Sequence, residues 1–319
     1  MQTSSNEAIS KKRISIVTPT FNESENVDIL YRRIKLALVP LAKYEFEIIF
    51  IDNKSTDDTV AKIKRIAFTD SSVKLIVNAR NFGHIRSPYY GIMQAQGEAV
   101  IYLASDLQDP PEMIDSFIQQ WEAGFKVVLG TKPTSTGFWL DKLMRRIYYV
   151  LLDSMSDVSI TRNATGFGLY DQIVVRQLRE INDPYPYLRG LVSELGYLTQ
   201  TIDFHQPKRF KGLTKNNWYS LYDIGMLGFV SHSKVPLRLA VISGFFSGAV
   251  SLLLAAYFVA RKLLDWDSFQ LGMSPILVGL FFFGGMQLIF LGILGEYVGV
   301  ILNYSKKRPV VVEEERVNF

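Results

Sequence analysis

Cysteine is absent from this 319-residue chain, which removes disulfide frameworks, thiolate nucleophiles, cysteine-based zinc sites and iron–sulfur clusters at once. Histidine is scarce as well: His84, His205 and His232 are widely separated and argue against a histidine-built metal cage. No internal repeat or low-complexity tract interrupts the chain. Charge of one sign is in small excess, 35 Lys+Arg against 31 Asp+Glu. A net +4 over this length is too weak a field for nucleic acid and suits a membrane surface better. The opening decapeptide MQTSSNEAIS lacks the apolar stretch of a secretory signal, so none is expected to be cleaved. At 48% hydrophobic residues the chain is too apolar to be disordered, and it is long enough for one large domain or two modest ones.

What the chain does contain is unevenly distributed. Residues 1–234 mix charged and apolar segments as a soluble α/β domain does, whereas Leu239–Ala260 and Ser268–Gly295 carry no charge at all. Each run exceeds the roughly 20 apolar residues that cross a bilayer core. Their glycines, among them Gly244, Gly248, Gly284, Gly285, Gly292 and Gly295, suit closely packed membrane helices. Two spans are therefore expected, at about 236–260 and 272–302 within a segment 235–304. Lys234 and Arg238 precede the first, and Lys306, Lys307 and Arg308 follow the second. The connecting stretch sets Asp265 and Asp267 against Arg261 and Lys262, so the charge bias puts both termini in the cytoplasm. Residues 305–319 read as a cytoplasmic tail. Glu296 either marks the cytoplasmic edge of the second span or is a functional intramembrane carboxylate. Two amphipathic helices are expected at WLDKLMRRIYYVLL and NNWYSLYDIGMLGFVSHSK, the second lying in the membrane interface over 217–234.

In 1–216 short apolar runs alternate with helical patterns. Strands are predicted at Ile14–Thr18, Glu47–Asp52, Lys74–Asn78, Ala99–Ala104 and Lys126–Gly130, with a helix from about Glu25 to Pro40 and another opening on Asp57 and Asp58. Such runs imply parallel strands covered on both faces, with ligand chemistry beyond their carboxyl ends. Polar clusters lie at those ends: TPTFNESEN, IDNKSTDDT and LASDLQDPPE. Singly each is only turn chemistry.

In order they are specific. P-x-F-N-E, then D-x-x-S-T-D, then R-N-F-G-H at Arg80–His84, then D-L-Q-D-P-P-E at Asp106–Glu112, resemble glycosyltransferase family 2. With the two apolar runs and FHQPKRFKGLTKNNWYSLYDIGMLG, the chain resembles its polyprenyl-phosphate glycosyltransferases from about Ile14 to Pro309. The resemblance implies a GT-A type, Rossmann-like, mostly parallel sheet domain, an interface helix and two transmembrane helices. It also implies a nucleotide-sugar pocket at Pro19, Glu23, Asp52 and Asp106, and a divalent cation, Mg²⁺ or Mn²⁺, at Asp106 and Gln108 with Asp109 nearby. Asp57 is expected to cap its helix rather than touch the donor. Arg80 and Asn81 are expected to order their loop, and His84 is either a helix-start residue or a neighbour of the donor.

The chain departs from the family pattern twice. The usual D-x-D-x-Q reads Ala104-Ser105-Asp106-Leu107-Gln108, so the first carboxylate is missing and a weaker metal site is expected. Relatives commonly have G-D-F-R where this chain has Thr165-Gly166-Phe167-Gly168, so an acidic base proposed in some of them falls on Gly166. A phosphate acceptor tolerates that loss, because its second pKa of about 6 leaves it anionic without a base. It needs cations instead, and Lys132, Arg146, Arg209 and Lys215 are the candidates, Arg209 and Lys215 being also assigned to catalysis with Asp106.

The expected activity is inverting transfer of a sugar from a nucleotide diphosphate, a UDP-sugar as the family guess, onto polyprenyl (undecaprenyl) phosphate at the cytoplasmic leaflet of a bacterial plasma membrane, for cell-surface glycan modification. A homo-oligomer is left open. The rival readings are a polysaccharide synthase, which normally has Q-x-x-R-W and more spans, and a non-catalytic membrane adaptor. A fragment ending before Lys234 is expected to be soluble.

Overall fold

A computed structural model describes residues 11–132, 161, 164–207, 235–264, 273–306 and 308–319. They divide into two compact units. The first, residues 11–207 with 308–319, holds β1 (Arg13–Thr20), α1 (Val27–Leu38), β2 (Glu45–Asp52), α2 (Thr59–Thr69), β3 (Val73–Asn78), α3 (Gly83–Gln94), β4 (Ala99–Tyr102) and α4 (Ile114–Glu122). It continues with β5 (Val127–Thr131), β6 (Ala164–Asp171), α5 (Gln172–Ile181), α6 (Leu188–Glu194), β7 (Thr199–Asp203) and, after the second unit, β8 (Glu313–Val317). The second unit holds α7 (Val235–Leu264) and α8 (Met273–Ser305).

The strands form one sheet in the order β7-β5-β6-β4-β1-β2-β3-β8. β1 pairs in parallel with β2 and β4, β2 with β3, and β5 with β7; β6 runs antiparallel between β4 and β5, and β8 antiparallel along β3. The five strands predicted from apolar runs are all present. Burial on both faces explains why they read as continuous runs. Ile14 and Ile16, Ile48 and Phe50, and Leu75 and Val77 face one core with Leu30, Ile34, Ile63 and Phe117 of α1, α2 and α4. Val17, Ile49, Ile51 and Ile76 face the other with Tyr89, Ile92, Val174 and Leu178 of α3 and α5. The alternation is the two-residue period of a strand. Pro40, in a short turn after α1, ends that helix where expected, since proline has no N–H to continue it.

One expectation needs correcting, and β6, over Ala164–Asp171, comes in addition to the strands predicted. Residues 305–319 are no free tail: β8 completes the sheet edge, and Val310 and Val311 are buried in the second core. A fragment ending before Lys234 therefore lacks an edge strand of its own sheet and leaves β3 unpaired on that side. The segments expected as amphipathic helices, 139–152 and 216–234, lie outside the described residues.

Both α7 and α8 are long and apolar enough to cross a membrane, over Val235–Phe258 and Gly279–Ser305, at mean hydropathies of 2.1 and 1.8. The Ser247 hydroxyl meets the Met286 sulfur at 3.5 Å, joining the two helices at one level.

Gly168 fixes how closely β6 approaches β5. A Cβ there would lie 2.1 Å from the Val128 carbonyl oxygen, a backbone atom that cannot swing away. Gly168→Ala should cost about 1–3 kcal/mol or prevent folding, read as a fall in the thermal midpoint of the detergent-solubilised protein. An unchanged midpoint would contradict this packing.

Candidate functional site

The site is built by the loops at the carboxyl ends of β1, β2, β3 and β4. The loops after β1 and β2 are tied together by their own polar residues. Asn22, at φ 56°, accepts from the Thr56 N–H at 2.8 Å and donates its own N–H to the Ser55 hydroxyl at 2.8 Å. Glu23 N–H donates to the Thr59 hydroxyl at 2.9 Å, and Ser24 N–H to Asp57 at 3.2 Å. Asp57 also accepts from Thr59 N–H at 3.0 Å at the start of α2. Burial works against its charge, but the bonds from Thr59 and Ser24 hold its carboxyl below the ordinary range. The expected cap at Asp57 falls one position away: the N-cap of α2 is Asp58, whose side chain makes no capping bond, while Asp57 bonds the first helical residue and ties in Ser24.

Pro19 and Asp52 end adjacent strands, Thr20 lying opposite Asp52 in the register. Asp52 is fully buried, and its carboxylate accepts from Ser55 N–H at 2.8 Å, from the Ser55 hydroxyl and from the Thr20 hydroxyl at 3.3 Å. Burial pushes it above the usual carboxylate range against the pull of those bonds. Asp52 thus shapes the loop from within. Glu23 is half-buried in the turn after β1, where its carboxylate accepts from the Asn26 amide at 2.5 Å.

A residue that sequence reasoning passed over organises the third loop. Asn53 accepts from Phe82 N–H at 2.8 Å and from the Asn78 amide at 3.1 Å, and donates to Asn81 at 2.8 Å and to the Gly83 carbonyl at 3.2 Å. The R-N-F-G-H loop is thereby fixed to the end of β2, and Asn81 serves order in it, as expected. Arg80 stacks on the Phe82 ring at 4.0 Å. The available signal was an amide directly after the strand-end Asp52, indistinguishable from turn chemistry without the third dimension.

After β4 the burial pattern alternates residue by residue. Leu103, Ser105, Leu107 and Asp109 are buried, while Ala104, Asp106 and Gln108 are only half-buried. Leu107 takes φ 61° to make the turn. Asp106 accepts from Gln108 N–H at 3.2 Å. Asp109 is turned inward, its carboxylate accepting from Ala104 N–H at 3.1 Å. Burial first, and the nearby Asp106 charge, push Asp109 up to about 7, against the Ala104 bond and the charge of Lys132. Lys132, directly after β5, therefore lies within electrostatic reach of this loop. Tyr102 is pushed upward by desolvation and by the charges of Asp109 and Asp106, which keeps it a neutral phenol and no base near pH 7.

Gly166 stands at φ +90°, a conformation side chains rarely adopt, and a Cβ built there would come no closer than 3.9 Å to Tyr102. The backbone itself selects glycine where an acid was expected in relatives. Arg146, Arg209 and Lys215 lie outside the described residues.

Comparison with known proteins gives the family. The model of the family described as "Glycosyl transferase family 2" matches residues 15–179. A bactoprenol glucosyl transferase of Shigella phage SfV is 33% identical over 306 residues, 95% of this chain and 99% of that protein. An uncharacterized glycosyltransferase of Synechocystis, sll0501, is 32% identical over 298 residues, 93% of each chain. The solved mannosyltransferase PcManGT from Pyrobaculum calidifontis, in complex with GDP-Man and Mn²⁺, covers 94% of this chain and 89% of its own at 15% identity and a TM-score of 0.46. The protein is an enzyme that transfers a glycosyl group. The chain belongs to glycosyl transferase family 2.

Asp109 yields a pH prediction. Its folded pKa, about 7, lies above the roughly 3.9 of an unfolded aspartate, so its stabilising contribution is complete below about pH 4 and is lost as pH rises to about 7. In metal-free protein, Asp109→Asn should lose roughly 2–4 kcal/mol less stability than the parent across that window. Thermal midpoints measured from pH 4 to 8 check it; parallel curves would refute it.

Proposed function

We propose that this glycosyltransferase moves a sugar from a nucleotide-diphosphate donor, a UDP-sugar, onto polyprenyl phosphate, inverting the anomeric centre, at the cytoplasmic leaflet. One observation carries the reading: relatives named bactoprenol glucosyl transferase match nearly the whole chain, through both apolar helices, and not the sheet domain alone. The placement of β8 supports a common side for the domain and both helix ends, since the chain leaves the sheet before α7 and rejoins it after α8. Flanking positive charge makes that side the cytoplasm.

The donor nucleoside is assigned to the loops after β1 and β2, at Pro19, Glu23 and Asp52. Asp52 acts by holding their shape, with Glu23 left to accept from the nucleoside. Asp106 and Gln108 fit a hard divalent cation, Mg²⁺ or Mn²⁺: both offer oxygen and both are only half-buried. Among the described residues no group of three or more His, Cys, Asp or Glu could hold a metal. Such a cation keeps waters and takes phosphate oxygens to complete its shell, so two protein donors suffice. It would neutralise charge on the leaving diphosphate. Asp109 is left out of that set because its carboxylate is buried against Ala104 N–H.

The reaction is displacement at the anomeric carbon. An acceptor phosphate oxygen forms the new C–O bond as the bond to the nucleoside diphosphate breaks. No proton needs removing from a phosphate dianion, which agrees with glycine at 166 and a neutral Tyr102. The role of the chain is to bring two anions together, and Lys132, Arg146, Arg209 and Lys215 are assigned to that.

Transfer of labelled glucose from UDP-glucose should occur to undecaprenyl phosphate and not to undecaprenol, with a rate rising through about pH 6 and level above it. Equal rates on the two acceptors would show that a general base exists. Asp106→Asn should cut transfer at least about 100-fold while the protein still extracts and folds; near-normal turnover with Mg²⁺ or Mn²⁺ present would remove Asp106 from the site.

A further inference from the structure

The C-terminal strand reaches further into the domain than an edge strand needs to. Backbone pairing sets Val317 opposite Leu75, Arg316 opposite Ile76 and Glu315 opposite Val77. Beyond the ladder, the Val312 carbonyl accepts from Ala79 N–H at 2.9 Å, at the entrance to the R-N-F-G-H loop. Glu313 accepts from the Tyr90 hydroxyl at 2.7 Å on α3, and Arg316 donates to Gln94 at 2.6 Å on the same helix. Glu315 pairs with Lys64 of α2 at 2.6 Å. Asn318 donates to the carbonyls of Ala67 at 2.8 Å and Val73 at 2.9 Å.

One side-chain contact reaches a loop rather than a helix or strand. Glu314 pairs with Lys54, which belongs to no helix or strand but to the loop after β2. Lys54 takes φ 64°, a left-handed conformation that is strained for a non-glycine residue and persists where its surroundings enforce it. On one side of it Asn53 locks the R-N-F-G-H loop; on the other Ser55 hydrogen-bonds Asp52 and receives the Asn22 N–H. The strained residue is thus the joint between the two networks that shape the pocket. Its side chain is held by a residue some 260 positions away, and residues 306–312 are all that separates the second apolar helix from that strand.

We propose that Glu314 and Lys54 form a positioning pair for donor binding, through which the C-terminal strand fixes the joint between the β2 loop and the R-N-F-G-H loop. The proposal rests on the reading of these loops as the nucleotide pocket. Neither side chain is required to touch the donor.

The test uses the full chain in detergent, with UDP-glucose as the probe. Glu314→Lys and Lys54→Glu should each raise the KM for UDP-glucose about threefold to fivefold, the range open to a half-exposed ion pair, with kcat within about twofold. The exchange Lys54→Glu with Glu314→Lys should return KM toward the parent value. Glu315→Lys, on the same strand but paired to α2, should leave it unchanged. Should a charge reversal fail to fold, Glu314→Gln supplies the weaker form of the same change. Hydrogen exchange gives a readout that needs no donor: residues 52–59 should exchange faster in the Glu314 variants than in the parent or in Glu315→Lys. Unchanged exchange there, equal KM in Glu314→Lys and parent, or no recovery in the exchanged pair would each overturn the proposal. A parent that turns over no UDP-sugar would fail the functional reading instead, and the exchange measurement would still decide the pairing.

Discussion

The site depends on keeping two loops, those after β1 and β2, in one fixed relation. Parallel pairing brings Thr20 opposite Asp52, so both chains leave the sheet at the same level. Past that level the backbone is irregular, and its polar groups must find partners without a ladder to supply them. Here they find one another: Asn22 with Thr56 and Ser55, Glu23 with Thr59, Ser24 with Asp57. Asp52, fully buried, is the anchor beneath. A carboxylate in that position resists ionisation, and the bonds from Ser55 and Thr20 are what make its burial tolerable. Asn53 then extends the same rigidity to the loop after β3.

This arrangement separates residues that shape the pocket from residues that can face a ligand. Asp52, at the end of β2, and Asp109, in the loop after β4, are both buried acids, and each gives one oxygen to a neighbouring backbone N–H. Asp106 and Gln108, in the loop after β4, are only half-buried. Ala104, where the first carboxylate is missing, is half-buried too, and its N–H supports the loop by donating to Asp109. Gly166 and Gly168 likewise have local causes: a positive φ in one case, a Cβ collision with the Val128 carbonyl in the other.

How much of this was legible in the sequence depends on what each residue packs against. β1 to β5 were readable because burial on both faces demands unbroken apolar runs. β6 was obscured because two glycines weaken its strand character. β8 was invisible: EEERV has one apolar residue, as suits an edge strand whose side chains pair with lysines of neighbouring elements. Asp106 and Gln108 were recognisable by motif, and both are half-buried in the loop after β4. The inward turn of Asp109 was not recognisable, since an aspartate in a turn looks the same whichever way it points. The tethering role of Asn53 required knowing that the end of β2 lies beside the loop after β3.

The sheet is not contiguous in sequence, and this has a consequence for how the protein is made. Among the described residues seven strands precede α7 in the chain, and the eighth follows both apolar helices. The domain therefore cannot reach its final form during its own synthesis. One edge of β3 stays bare until the segment that follows both apolar helices has been made and has paired with it.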